Sequence, residues 1–234
     1  MLETSALINH SVLENPSGLH PRLHAKSLDK ALGYKIPKIE VKLLQKYRAY
    51  DRHNDDSNKK QHYKGTQTWI GLHPQALQTP YCDIYEALSL IKNLKIKHVV
   101  DIGAGYGRVG VVLSVLYPNA KFTGYEIVKQ RQMEGNRVFK KLGVNNSEIE
   151  LKNVLDLDFD LPEAEIYFIY DFSEQEDIFQ VLQTLSLKTQ NKIFYLITRG
   201  DRVDYLMKHK FKHVWRLHMS LNSSDLKIYT SRNV

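Results

Sequence analysis

From residue 98 onward, short apolar runs rich in β-branched and aromatic residues alternate with stretches whose apolar positions recur every three to four residues. The strand-like runs are 98–102 (HVVDI), 121–127 (KFTGYEI), 149–154 (IELKNV), 165–172 (EIYFIYDF), 192–198 (KIFYLIT), 211–219 and 225–231. Helical patterns at 107–117, 129–143 and 174–188 separate the first five, and a weaker one occupies 201–210. Strands joined by crossover helices imply parallel neighbours covered on both faces. The third-to-fourth connection leaves room only for a short helix. The last two runs are joined by 221–224 (LNSS), too short for a crossover helix, so they must pair as an antiparallel hairpin. The expected class is α/β: a seven-stranded, mostly parallel sheet with an antiparallel C-terminal hairpin and helices on both faces.

Upstream, helical spacing returns at 83–94 (Ile84, Leu88, Ile91) and at 38–50 (Ile39, Leu43, Leu44, Tyr47). The first forty residues read as irregular, because Pro16, Gly18, Pro21, Gly33 and Pro37 break any long element. Residues 51–65 are polar and turn-rich, which reads as a mobile loop or hinge. The expected organisation is a basic, mainly helical and irregular N-terminal extension over 1–65, followed by one domain over 66–234.

Composition narrows the picture modestly. With 42% apolar and 25% charged residues, the chain suits an ordinary soluble globular protein. Its longest apolar runs, such as 109–116, fall short of a bilayer span. The first thirty residues carry no export signal. The single cysteine, Cys82, excludes an intrachain disulfide and reads as a partly buried filler, so a cytoplasmic location is expected. The net charge of +7 is concentrated before residue 65, in Lys26, Lys30, Lys35, Lys38, Lys42, Lys46, Arg48, Arg52, Lys59, Lys60 and Lys64. Such a field draws an acidic partner, RNA or an acidic protein surface, unless it is simply a solvated basic face. Tyr34, Tyr47, Tyr50, Tyr63 and Trp69 are interleaved there and offer stacking surfaces.

The chemistry concentrates in 99–110, VVDIGAGYGRVG, which runs from strand through glycines into helix. Gly103, Gly105 and Gly107 let the backbone turn tightly and approach a ligand at a helix N-terminus. Gly105, Gly107 and Gly110 also satisfy GxGxxG, so a dinucleotide is one candidate ligand. Asp101, at the strand's end, argues otherwise, since a carboxylate repels a pyrophosphate but suits the ammonium of a methionyl group. Glu126 ends the next strand, where a carboxylate accepts from both hydroxyls of a ribose in either kind of site. The closing hairpin also departs from the six-stranded dinucleotide sheet. These features favour S-adenosylmethionine as cofactor. Packing glycines with a helix-capping Asp101 would leave the same trace.

DIGAGYG (101–107) and GYEI (124–127) resemble the first two motifs of the class I (Rossmann-like) S-adenosylmethionine-dependent methyltransferases, over roughly 78–231. The resemblance implies that Gly103, Ala104 and Gly105, with Gly107 in the same turn, lie along the methionyl part. It implies that Glu126 holds the ribose and that Asn153 and Val154 flank the adenine. Asn153 stands where that family usually has Asp, with Asp156 as the alternative. Upstream, Gln78, Thr79 and Tyr81 occupy the place that closes over the methionyl carboxylate or the transferring methyl; Thr79 also suits a helix N-cap ahead of Pro80.

The acceptor in this family lies beyond the fourth strand, here Tyr170-Asp171-Phe172. Asp171 would orient an amine or hydroxyl or accept its proton, with Tyr170 and Phe172 walling the path; equally, Asp171 or Ser173 would cap the helix starting near Glu174. No proline pair follows Asp171, unlike methylases acting on exocyclic base amines. Tyr170-Asp171-Phe172, Gly124-Tyr125-Glu126 and residues 78–81 are also loosely similar to the non-SET histone-lysine methyltransferases. The acceptor class implied is a macromolecule, a protein lysine or RNA. Asp171 and Asp201 fall where some small O-methyltransferases hold a divalent cation, yet no third ligand is evident, so no metal is expected. His20 and His24 read as surface histidines, and 199–201 as a chain turn. Two rival classes stand beside this reading: an NAD-dependent oxidoreductase, which requires a parallel sixth strand and no hairpin, and a non-catalytic adenosylmethionine-binding module.

Overall fold

The computed structural model describes residues 8–49, 60–63, 68–91, 95–188, 192–221 and 224–231. The chain order is α1 (His10–Leu13), α2 (Pro21–Leu32), α3 (Ile36–Lys46), α4 (Tyr81–Ser89), β1 (His98–Ile102), α5 (Arg108–Leu116), β2 (Lys121–Glu126) and α6 (Lys129–Leu142). There follow β3 (Ser147–Leu151), β4 (Ile166–Tyr170), α7 (Gln175–Lys188), β5 (Tyr195–Arg199), α8 (Asp201–His209), β6 (Trp215–Ser220) and β7 (Leu226–Ser231). One 7-stranded sheet has the order β3-β2-β1-β4-β5-β7-β6. Every pairing from β3 through β5 is parallel. β7 pairs antiparallel with both β5 and β6, so the expected hairpin is present. The third-to-fourth connection holds no helix.

Alternation along the strands sorts the core into two layers. Val99, Phe122, Phe168, Ile197 and Ile228 face α4, α5 and the N-terminal helices, while Val100, Ile102, Tyr167, Ile169 and Leu196 face α7 and α8. Asp101 shares the first face with Val99. A carboxylate placed at the C-terminal edge of a central strand therefore enters the interior rather than solvent.

The irregular reading of the first forty residues is overturned. Pro21 is the first residue of α2 rather than a breaker, because a helix's first N–H needs no partner. Gly33, in the left-handed region at φ 84°, ends that helix. Leu13, Ala25, Leu28, Leu32 and Ile36 join the same hydrophobic cluster as β1 and α5. The 51–65 loop lies outside the described residues except for 60–63, as does the expected boundary near 65. His24 is buried rather than at the surface, its Nε2 2.9 Å from the Val12 carbonyl, which ties α1 to α2. Among the described residues no helix is long and apolar enough to cross a membrane. Burial and the neighbouring Asp83 push the half-buried Cys82 thiol up to about 12, leaving it protonated and unreactive.

Candidate cofactor and acceptor site

The sheet's C-terminal edge opens into a cavity of about 870 Å³. Its floor is the turn after β1, one wall is Glu126 with Asn153 and Val154, and the other is Tyr170, Asp171 and Phe172. A smaller recess continues inward past Gly103 and Gly105, lined by Asp101, Ala104, Gln78, Thr79 and Arg199. Most of the residues singled out from sequence thus converge on one space.

The glycines divide by role. A Cβ on Gly105 would meet nothing closer than Gln78 Cγ at 3.9 Å, so the backbone there faces open cavity. On Gly103 it would lie 2.5 Å from Phe172 Cβ, and on Gly107 2.6 Å from the Phe139 ring. Gly107 lines neither the cavity nor the recess; it lets α5 pack against β3 and α6, as does Gly110 against Phe122. Gly103→Ala should lower stability by about 1–3 kcal/mol, combining overlap with a left-handed backbone at φ 77°. Gly105→Ala should cost about 1–2 kcal/mol from its φ of 56° alone, yet weaken nucleoside binding at least about tenfold by placing a methyl in the cavity. Thermal melts and titration calorimetry on both variants separate these effects; equal losses of affinity per kcal/mol of stability would contradict the division.

Glu126 is fixed by two backbone donors: Gly105 N–H donates to its Oε2 (2.9 Å) and Val128 N–H to its Oε1 (2.7 Å). Each oxygen keeps a lone pair for a ligand hydroxyl. Burial raises its pKa, countered by the Arg131 charge and those two hydrogen bonds. Arg131 is itself held by Glu40 of α3, Nε to Oε1 at 2.8 Å and Nη2 to Oε2 at 3.1 Å, and donates to the Thr68 carbonyl. Tyr106 donates to the same Glu40, and Tyr34 donates to the Tyr106 carbonyl. The N-terminal helices therefore brace the glycine turn.

Asp101 is pushed up to about 8, first by burial and then by the Glu126 charge. It stays protonated at neutral pH until a cation arrives, so pyrophosphate repulsion does not by itself exclude a dinucleotide. The hairpin carries that distinction.

Three placements differ from expectation. Tyr81 is turned away from the cavity, fully buried, and its hydroxyl donates to Asp29 of α2. Thr79 is not an N-cap: Pro80 precedes the first turn of α4, and the Thr79 carbonyl accepts from Arg108. Asp171 does not serve the helix that starts near Glu174, which it or Ser173 was expected to cap. Its Oδ2 and Oδ1 accept from Arg202 N–H (3.1 Å) and Val203 N–H (2.9 Å), so it caps α8. Gly200 permits this approach, since any side chain there would strike the Asp171 carboxylate. Asn153 makes a local turn, its Nδ2 donating to Asp156 and its Oδ1 accepting from Leu155 N–H.

Sequence patterning missed the roof, formed by Thr68, Trp69, Leu72, Ala76 and Leu77. Trp69 adopts φ 54°, the Arg202 guanidinium lies 4.9 Å from its ring centroid, and the Tyr170 hydroxyl donates to the Ala76 carbonyl. The sequence pointed to this stretch through the closing role expected for Gln78, Thr79 and Tyr81 and through Trp69 as a stacking surface, and not to Thr68, Leu72, Ala76 and Leu77. Among the described residues no cluster of three metal-ligating side chains occurs.

No family model matches the chain. A 63-residue stretch is 38% identical to ribosomal RNA small subunit methyltransferase G of Francisella philomiragia, covering 27% of this chain and 31% of that protein. The same enzyme of Francisella tularensis subsp. novicida matches to the same extent, so the shared stretch spans about a third of these relatives. Among solved structures, precorrin-6y C5,15-methyltransferase of Geobacter metallireducens superposes with a TM-score of 0.53 at 17% identity, over 68% of this chain and 90% of that one. An RNA methyltransferase of Salinibacter ruber, solved with S-adenosyl-L-homocysteine, gives 0.50 at 16% identity, over 66% and 92%. In strand order, closing hairpin and glycine turn, this chain has the fold of the class I S-adenosylmethionine-dependent methyltransferases.

Proposed function

We propose that this chain is an S-adenosylmethionine-dependent methyltransferase whose acceptor is RNA. The observation that carries the cofactor reading is a cavity in which Glu126 stands beside an open glycine turn, with Asp101 in the recess behind that turn, and which leads out past Tyr170, Asp171 and Phe172. The cradle fits the group: Gly105 leaves space where a ligand's backbone-facing side would lie, and Glu126 presents two fixed acceptors. When bound, adenosylmethionine supplies a methyl group on a sulfonium already activated toward nucleophiles. The protein's share is then alignment, exclusion of water and reception of a proton where the acceptor carries one. Tyr170 and Phe172 narrow the approach, and Asp171, whose pKa burial raises, is the proton acceptor or orienting group.

RNA is favoured over protein by two features. Lys26, Lys30, Lys35, Lys38, Lys42 and Lys46 are exposed on and beside α2 and α3, and Leu43 of α3 packs with Ile70 and Val128 next to Glu126, so the basic helix flanks the cavity. The relatives sharing the 63-residue stretch are named for ribosomal RNA. We place this activity in the cytoplasm. Labelled-methyl transfer into fractionated lysate tests the reading: label lost to nuclease supports RNA, and label lost only to protease replaces it with protein. Titration with adenosylmethionine and NAD tests the cofactor; binding of NAD alone overturns it.

Asp171→Ala should lose about 1 kcal/mol through the missing α8 cap and lose turnover while keeping cofactor affinity. Asp171→Asn retains one of the two cap acceptors while removing the basic carboxylate. Turnover restored in that variant would make Asp171 a positioning residue rather than a proton acceptor.

Asp101 imposes a pH dependence. Unfolded, it titrates near about 3.9; folded, at about 8. Between these values the folded state holds a proton that the unfolded state has released, so this contribution to stability is full at low pH and falls as pH rises toward about 8. Binding an ammonium group reverses the preference, so adenosylhomocysteine affinity should rise with pH over the same window with proton release. Calorimetry from pH 6 to 8 in two buffers of different ionisation enthalpy reads this as roughly a tenfold gain per unit at most. Asp101→Asn should flatten both profiles, and an unchanged slope would refute the assignment.

A further inference from the structure

Two buried side chains at the inner end of the cavity carry polar atoms with no hydrogen-bond partner among the described residues. Arg199, the last residue of β5, is 8% exposed, its Nη1 meets no acceptor, and its guanidinium lies 5.2 Å from the Tyr170 ring centroid. Gln78 is 7% exposed, and neither its Nε2 nor its Oε1 is hydrogen-bonded. Both residues line the main cavity and the inner recess alike. The other guanidinium bordering the recess, Arg108, is already taken up by Asp29, Gln75 and the Thr79 carbonyl. Asp83 of α4 senses the Arg199 charge, and no salt bridge joins them among the described residues.

Leaving a guanidinium N–H group and a primary amide buried without acceptors or donors is costly, and an entering anion lowers the cost. The planar fork of Arg matches a carboxylate, and the Gln amide adds a neutral donor beside it. Asp101 lines the same recess as the acid that suits an ammonium. One acid with one guanidinium N–H group lacking an acceptor and one amide is the complement of an α-amino acid zwitterion. A bare cation close to a sulfonium would also repel it, so the fold needs an anion between them.

We propose that Arg199 and Gln78 hold the α-carboxylate of the cofactor's aminocarboxypropyl arm, with Asp101 taking the ammonium. The proposal rests on the adenosylmethionine reading above. It assigns to the 199–201 turn, and to a residue distant from the glycine motif, the orientation of the methyl donor.

The test compares S-adenosylhomocysteine with its decarboxylated analogue, which keeps the amine and lacks the carboxylate, by calorimetry on the full chain. The wild type should prefer S-adenosylhomocysteine at least about tenfold, as expected for charge-assisted hydrogen bonds. Arg199→Ala should bring the ratio close to one by weakening S-adenosylhomocysteine alone, Arg199→Lys should recover part of it, and Gln78→Ala should narrow it. A structural role would move both ligands together. Equal binding of the two by the wild type, or an unchanged ratio in Arg199→Ala, overturns the proposal. Should Arg199→Ala fail to fold, an unchanged ratio in both Arg199→Lys and Gln78→Ala overturns it. Failure of both nucleosides to bind the wild type defeats the cofactor reading itself, and the proposal with it.

Discussion

Asp29→Ala is expected to lower the unfolding free energy by about 3–5 kcal/mol, the usual cost of stranding one member of a buried ion pair. The Arg108 side chain is 3% exposed and that of Asp29 8%. Arg108 Nε donates to Asp29 Oδ1 at 3.2 Å while Nη2 donates to Oδ2, in a bidentate pair. Two other side chains depend on the same node: the Tyr81 hydroxyl donates to Oδ1 (2.9 Å) and the Gln75 amide to Oδ2 (3.0 Å), while the guanidinium stacks over the Tyr81 ring. Removing the carboxylate therefore strands a guanidinium, a phenol and an amide together. The node joins α2, the segment before α4, and the first residue of α5, so the glycine turn should loosen as well. Urea unfolding should show a lower midpoint at unchanged slope, with weaker adenosylhomocysteine binding. Replacing both partners, as in Asp29→Leu with Arg108→Met, should recover much of the loss, because no charge is then left unpaired. A loss under about 1 kcal/mol in the single variant would place this pair among those that contribute little.

Glu126→Ala is expected to weaken adenosylhomocysteine binding at least about tenfold and, if both ribose hydroxyls bond to the carboxylate, by considerably more, at about 1.5–3 kcal/mol per bond to a charged group. The carboxylate also accepts from Gly105 and Val128, so the glycine turn and the start of α6 lose their shared anchor. Arg131 keeps Glu40 as its partner and does not become an orphan. Stability should consequently fall less than in Asp29→Ala, while affinity falls more. Glu126→Gln retains one acceptor oxygen and should lie between wild type and alanine in affinity. Calorimetry beside thermal melts reads the two effects apart. An unchanged dissociation constant in Glu126→Ala would remove this residue from the site.

Much of this was legible before any coordinates. The change from strand-like to helical periodicity across 101–107 locates the β1–α5 turn, and the short 221–224 link forces the antiparallel hairpin. Asp101 and Glu126 were recognisable because each interrupts an apolar run near the end of a strand, where a sheet's ligand crevice opens. The N-terminal helices were hidden because Pro21 and Gly33 mark the ends of an element as readily as they break one. Asp171 was anticipated as a cap, but for the wrong helix: its donors lie 31 and 32 residues downstream.

From residue 98 onward the sequence by itself determined the element order, the closing hairpin and the two acids at the sheet's edge, because burial of one face of each element leaves a local and periodic trace. The tertiary structure alone decided that Asp29 meets Arg108 79 residues away, that Glu40 meets Arg131 across 91, and that Tyr81 faces inward. It also decided that Gln78 and Arg199 carry unpartnered polar atoms beside Asp101. Pairing, and the lack of it, depends on which groups packing brings within hydrogen-bond reach, and no periodicity records that.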